Sequence, residues 1–239
     1  MIKRRYLVLA AGIIAVTVVV SAYFLLTPKS LREEHIGGKY DAKIIIEGND
    51  TRGFEFGYII YTKDGIEHTG YYNSYMKSAL DWIKINTPEN AIFLNWWDYG
   101  HMIVGYAERE SVIKNPSTEA LKSVAEPLSE IKEFDAHEMI VDVAKALTTT
   151  NESLTKEIMK KYNAKYLLIT TEDGGGKAYW IFYFAGLNFT EYYNPHLLFR
   201  EQDYTEKGKQ TMIYKLLTNS SLQVFIQVYS DENVKIFEI

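Results

Sequence analysis

Trp96-Trp97-Asp98-Tyr99-Gly100 is the stretch of this 239-residue sequence whose residue types most suggest a binding chemistry. Two of the four tryptophans stand side by side, followed by an acid, a phenol and a glycine. An indole offers one N–H donor and a flat apolar wall, and an ionised carboxylate offers only acceptors. Together they can hold a hydroxyl, with the carboxylate accepting its proton and the N–H donating to its oxygen. Neighbouring side chains of a strand point to opposite faces. One Trp is therefore expected in the core and the other in a cleft, unless the strand has already turned into a helix. The competing reading is a tryptophan-rich core corner with Asp98 capping a helix.

Other motifs fail on their own terms. His137-Glu138 lacks a second His four residues after the first, so the zinc-protease helix is absent. Gly174-Gly175-Gly176-Lys177 lacks the upstream Gly of a phosphate loop, and Ala178 replaces the hydroxyl that would meet magnesium. No Gly-x-Ser-x-Gly elbow occurs, and the five His residues show no ligand spacing. With no Cys, the chain has no disulfide, thiolate metal site or Cys nucleophile.

The composition is 47% hydrophobic and 24% charged, which excludes a disordered, collagen-like or coiled-coil chain. A net charge of -5 gives no argument for a nucleic-acid partner. Residues 6–28 carry no charge, and Lys3, Arg4 and Arg5 precede them. That run is long enough to cross a bilayer, and the positive-inside rule puts Met1 in the cytoplasm and the remainder outside the cell membrane. A cleaved signal peptide ending near Val20-Ser21-Ala22 is the alternative, and the continued apolar run favours a retained single-pass anchor. The sequons at Asn49, Asn151, Asn188 and Asn219 then face a compartment where glycosylation is open to them.

The elements that must position Trp96 to Gly100 follow from pattern. Residues 29–41 are polar, contain Gly37-Gly38 and read as a tether. Residues 42–239 form the expected globular domain. Strands are expected at 42–47, 54–61 and 66–72, the last two joined by the hairpin turn Asp64-Gly65. A helix over 74–85 closes at Thr87-Pro88, and 91–95 reads as a short buried strand feeding Trp96. A helix begins near Asp135 with Glu138 at capping-box spacing, and Ile140, Val143, Ala144 and Leu147 share its buried face. Another helix, around Leu154, Ile158 and Tyr162, leads into a strand at 166–170. Strand, helix and strand imply a partly parallel sheet covered by helices. Segments 211–217, 222–229 and 234–238 read as antiparallel strands. The fold class is mixed α/β.

The string Trp96 to Gly100 resembles the WWDYG motif of the oligosaccharyltransferase catalytic subunit, which transfers a lipid-linked glycan to Asn in Asn-x-Ser/Thr. Ala79-Leu80-Asp81-Trp82-Ile83, Asn86-Thr87-Pro88-Glu89 and His101 are similar to the archaeal form of that family. So are residues 157–169, 211–217 and 234–239, which gives a likeness in order from Tyr75 to Ile239, with 42–72 outside it. The resemblance implies that Trp96, Trp97 and Asp98 surround the Ser/Thr hydroxyl of an acceptor polypeptide, with Tyr99 and Gly100 shaping the turn. A second family motif, Asp-x-x-Lys-x-x-x-Met/Ile, completes the pocket. Lys177 and Ile181 keep its spacing, whereas Asp173 stands four residues before Lys177 and not three. Asp142 and Lys145 have the right interval, but Thr149 replaces the Met/Ile.

Family members also carry about a dozen membrane helices that supply the acids for a divalent cation (Mg or Mn) and for the lipid-linked sugar. One apolar span stands in their place here. The resemblance therefore implies no catalytic residue, metal ligand or cofactor in this chain, and a multispanning membrane subunit as partner. The alternative is a membrane-anchored surface or assembly module that kept the fold without the chemistry.

Overall fold

The computed structural model of the chain describes residues 31–124, 134–194 and 203–239. The expected anchor at 6–28 and its signal-peptide alternative lie outside the described residues. Among the described residues no helix is long and apolar enough to cross a membrane. The chain divides into Met1–Arg32 and Glu33–Ile239, and the second unit carries both sheets.

The first sheet has the order β1-β2-β3-β4, from β1 (Arg32–Gly37), β2 (Ala42–Asn49), β3 (Glu55–Lys63) and β4 (Ile66–Asn73). Its hairpin turns at Asp64-Gly65, where φ is 54° and 77°, and Lys63 faces Ile66. Two positive-φ residues make the turn whose twist matches the flanking strands. The tether expected at 29–41 is corrected by β1. Arg-Glu-Glu-His is too polar to read as a strand, yet charged side chains suit an exposed sheet edge. Gly37 and Gly38, at φ 67° and 84°, turn the chain into β2.

The second sheet has the order β6-β5-β7-β9-β8. It comprises β5 (Ile92–Leu94), β6 (Glu110–Ser111), β7 (Tyr166–Thr170), β8 (Ile226–Ser230) and β9 (Val234–Glu238). β5 runs parallel to both β6 and β7, and β9 runs antiparallel to β7 and β8. The expected mixed sheet is present. β8 begins four residues later than the sequence pattern placed it.

The helices are α1 (Lys77–Asn86), α2 (Gly100–Gly105), α3 (Thr118–Val124), α4 (His137–Thr148), α5 (Glu152–Lys161), α6 (Ala178–Phe184) and α7 (Met212–Thr218). α7 corrects an expected strand at 211–217. Met212, Ile213 and Leu216 are buried at helical spacing, and Asn219 stops the helix in the left-handed region at φ 51°. α4 buries the predicted face, but Asp135 does not cap it. Its Oδ2 instead accepts from the N–H of Lys114 (2.5 Å) and of Asn115 (2.8 Å). α2 is buried along its whole length and touches β3, β4 and β6, so it joins the two sheets.

Candidate functional site

β5 ends at Leu94, and a 3-10 turn over Trp97–Tyr99 passes directly into α2. The early turn decides where the indoles go. Strand alternation would set them on opposite faces, whereas their ring centroids are 4.1 Å apart with planes 31° apart. Trp96 is 1% exposed, and Trp97 is partly open above it with Phe184 of α6 edge-on at 5.8 Å. Among the described residues neither indole N–H has a protein acceptor, and neither is sealed off without a partner.

Gly100 lets this turn exist. A Cβ there would stand 2.2 Å from the carbonyl oxygen of Ile113, a main-chain atom that cannot swing aside. The 112–114 segment therefore runs hard against the start of α2.

Among the described residues Asp98 has one side-chain partner, Lys177, whose Nζ lies 3.5 Å from Oδ2. The two side chains are 27% and 19% exposed, respectively. Among the described residues the carboxylate caps no helix and accepts no backbone amide, so the capping role expected of Asp98 in a core corner does not hold. Lys177 also donates to Tyr99 Oη at 3.0 Å and stands 4.2 Å from the centre of that ring.

Behind this cation is a closed network. Tyr99 Oη donates to Asp173 Oδ1 (2.9 Å) and contacts Thr170 Oγ1 (2.6 Å). Asp173 Oδ2 accepts the Thr170 N–H at 2.8 Å. Burial of Asp173 raises its carboxyl to about 6, although Lys177, the Thr170 N–H and the Tyr99 hydroxyl pull the other way. Burial and then Asp173 hold the Tyr99 phenol well above its ordinary value, so it remains a donor.

The four-residue interval from Asp173 to Lys177 is accommodated by non-helical turns. Residues 171–177 form them, and α6 starts only after Lys177. The acid and the cation therefore meet across Tyr99 without helical spacing. Ile181, one turn into α6, is fully buried.

Sequence reasoning missed Thr170, Phe184 and Tyr75. Their types carry no distinctive signal, and only the turns at 97–99 and 171–177 bring them together. Among the described residues, no three His, Asp or Glu side chains converge as a metal site.

Known proteins share this arrangement of fold. The crystallised C-terminal globular domain of an Archaeoglobus fulgidus oligosaccharyltransferase matches 68% of this chain and 95% of its own, at 25% identity and a TM-score of 0.50. The chain resembles that C-terminal globular domain. Over 163 residues it is 24% identical to the dolichyl-diphosphooligosaccharide–protein glycosyltransferase subunit stt3 of Schizosaccharomyces pombe, 62% of this chain and 19% of that protein. A 40-residue stretch is 45% identical to the dolichyl-phosphooligosaccharide-protein glycotransferase 2 of Pyrococcus horikoshii, 17% of this chain and 5% of that protein. The chain thus spans less than a fifth of the length of these curated relatives. No family model matches it.

Proposed function

We infer that this domain recognises the Ser or Thr of Asn-x-Ser/Thr acceptors in protein N-glycosylation. In this reading Asp98 accepts the acceptor hydroxyl's proton, a Trp indole N–H donates to its oxygen, and the rim of Trp97 packs on the side-chain carbons. The single observation that carries the reading is the state of Asp98. Its carboxylate is partly open and takes no hydrogen bond from the described residues apart from its loose contact with Lys177. The likeness to the oligosaccharyltransferase C-terminal domain supports it.

The domain acts outside the cytoplasm, held to the membrane by the apolar span at 6–28, beside a multispanning subunit that supplies the cation and the lipid-linked sugar. This chain contributes acceptor selection, and the chemistry belongs to the partner. The test is calorimetric titration of the full chain in detergent with Asn-x-Thr and Asn-x-Ala peptides. A charge-assisted hydrogen bond is worth about 1.5–3 kcal/mol, so the Thr peptide binds about ten- to hundredfold tighter. Asp98→Asn removes most of that margin. Equal binding of the two peptides, or none in the presence of any membrane partner, favours the non-enzymatic surface module.

A further inference from the structure

Tyr75 stands beside this site with a feature that the site's own hydrogen bonds do not explain. It lies just after β4, is 4% exposed, and gives its N–H to Asn73 Oδ1 at 3.1 Å. Its ring is fixed edge-on to Phe54 (6.0 Å, 67°), with the Arg52 guanidinium 5.1 Å from its centre. Its hydroxyl is buried and has no hydrogen-bond partner of ordinary geometry among the described residues.

That hydroxyl stands beside the one of Tyr99, in the field of Asp173, Glu172 and Asp98. Tyr99 makes no hydrogen bond of ordinary geometry with it. Its oxygen gives its proton to Asp173, takes Lys177 Nζ and lies 2.6 Å from Thr170 Oγ1, whose own proton also has Asp173 Oδ2 within reach at 3.2 Å. Burial and the Asp173 carboxylate hold the Tyr75 phenol well above its ordinary value, so it keeps its proton at every physiological pH. An orphaned buried donor bears the full desolvation of that group.

We propose that Tyr75 is a specificity-determining residue of the hydroxyl pocket, donating its O–H to one neutral hydroxyl oxygen. The oxygen is neutral because Asp98, Glu172 and Asp173 repel an anion, and a cation offers nothing to accept a proton. It is a single oxygen because one O–H supplies one donor. Its source is the acceptor's Ser/Thr alcohol or a water held in its place. The proposal rests on the function inferred above and deepens it.

Tyr75→Phe in the full chain separates the outcomes, read by the same peptide titrations and by urea unfolding. If the oxygen is the acceptor's alcohol, Asn-x-Thr affinity falls about five- to tenfold, Asn-x-Ala affinity is unchanged, and the unfolding midpoint holds or rises. If the midpoint falls and both peptides bind as before, the oxygen is a structural water and the specificity role of Tyr75 is overturned. Unchanged discrimination together with an unchanged or higher midpoint overturns the proposal. A wild-type chain that fails to discriminate Thr from Ala sinks the inferred function instead, and the unfolding midpoint still decides between water and an idle hydroxyl.

Discussion

Asp173 is a fully buried acid whose charged form the fold disfavours. Its folded value of about 6 lies above the ordinary 3.8, so the group stabilises the fold fully below pH 3.8 and loses that contribution as pH rises through 6. The rise from 3.8 to about 6 corresponds to about 3 kcal/mol. Urea unfolding of the wild type should therefore show a fall in stability between pH 4 and 6.5 that Asp173→Asn flattens. Gly100→Ala makes a different demand, since its new methyl meets the Ile113 carbonyl. Loss of about 1–3 kcal/mol is expected from such overpacking, seen as a lower thermal midpoint. Trp96, Trp97, Asp98, Tyr99 and Gly100 stood out as a group because Trp-Trp-Asp is rare in any sequence, whereas Lys177 was singled out only through the resemblance to a second family motif. The partners of Tyr99 were not, because a Thr and an Asp before a glycine run carry no mark of where a turn will aim them.

Elements were legible where one periodicity had no rival. The hairpin at Asp64-Gly65 and the buried face of α4 followed from turn chemistry and 3.6-residue spacing. Residues 212–218 were misread because Ile, Tyr and Thr favour strands locally, while burial at positions 212, 213 and 216 makes a helix of them. Two tests belong here. Gly65→Val forces a β-branched residue to φ 77° and should cost about 1–2 kcal/mol, with the pairing of Lys63 and Ile66 loosened in NMR. Asn219→Gly should keep α7 intact, since either residue accepts the left-handed stop, whereas Asn219→Val should fray its last turn, visible as faster amide exchange at 215–218.

At the scale of the molecule, the two sheets meet at the site. Arg52, in the turn between β2 and β3, reaches Asp50 at 3.0 Å and Glu172 at 2.8 Å. One guanidinium thus ties the first sheet to the turns that carry Asp173 and Lys177. Asp50 feels burial, but hydrogen bonds from the Arg52 side chain and from the N–H groups of Arg52 and Phe54 outweigh it and lower it to about 2. Stability from that group is present above 3.8 and is lost as pH falls toward 2. Because the Arg52 pair is partly exposed, Arg52→Ala should change global stability by only about 0–1 kcal/mol. Hydrogen exchange at 171–177 should nevertheless quicken, and high salt should reproduce much of that effect in the wild type.

Two indoles 4.1 Å apart and tilted by 31° are close enough for their electronic transitions to couple. The stacked pair therefore serves as an intrinsic optical reporter. It should give a bisignate band in far-ultraviolet circular dichroism that either Trp96→Phe or Trp97→Phe abolishes. Any alcohol-bearing peptide that shifts the upper ring should register in that band without a label or a catalytic assay.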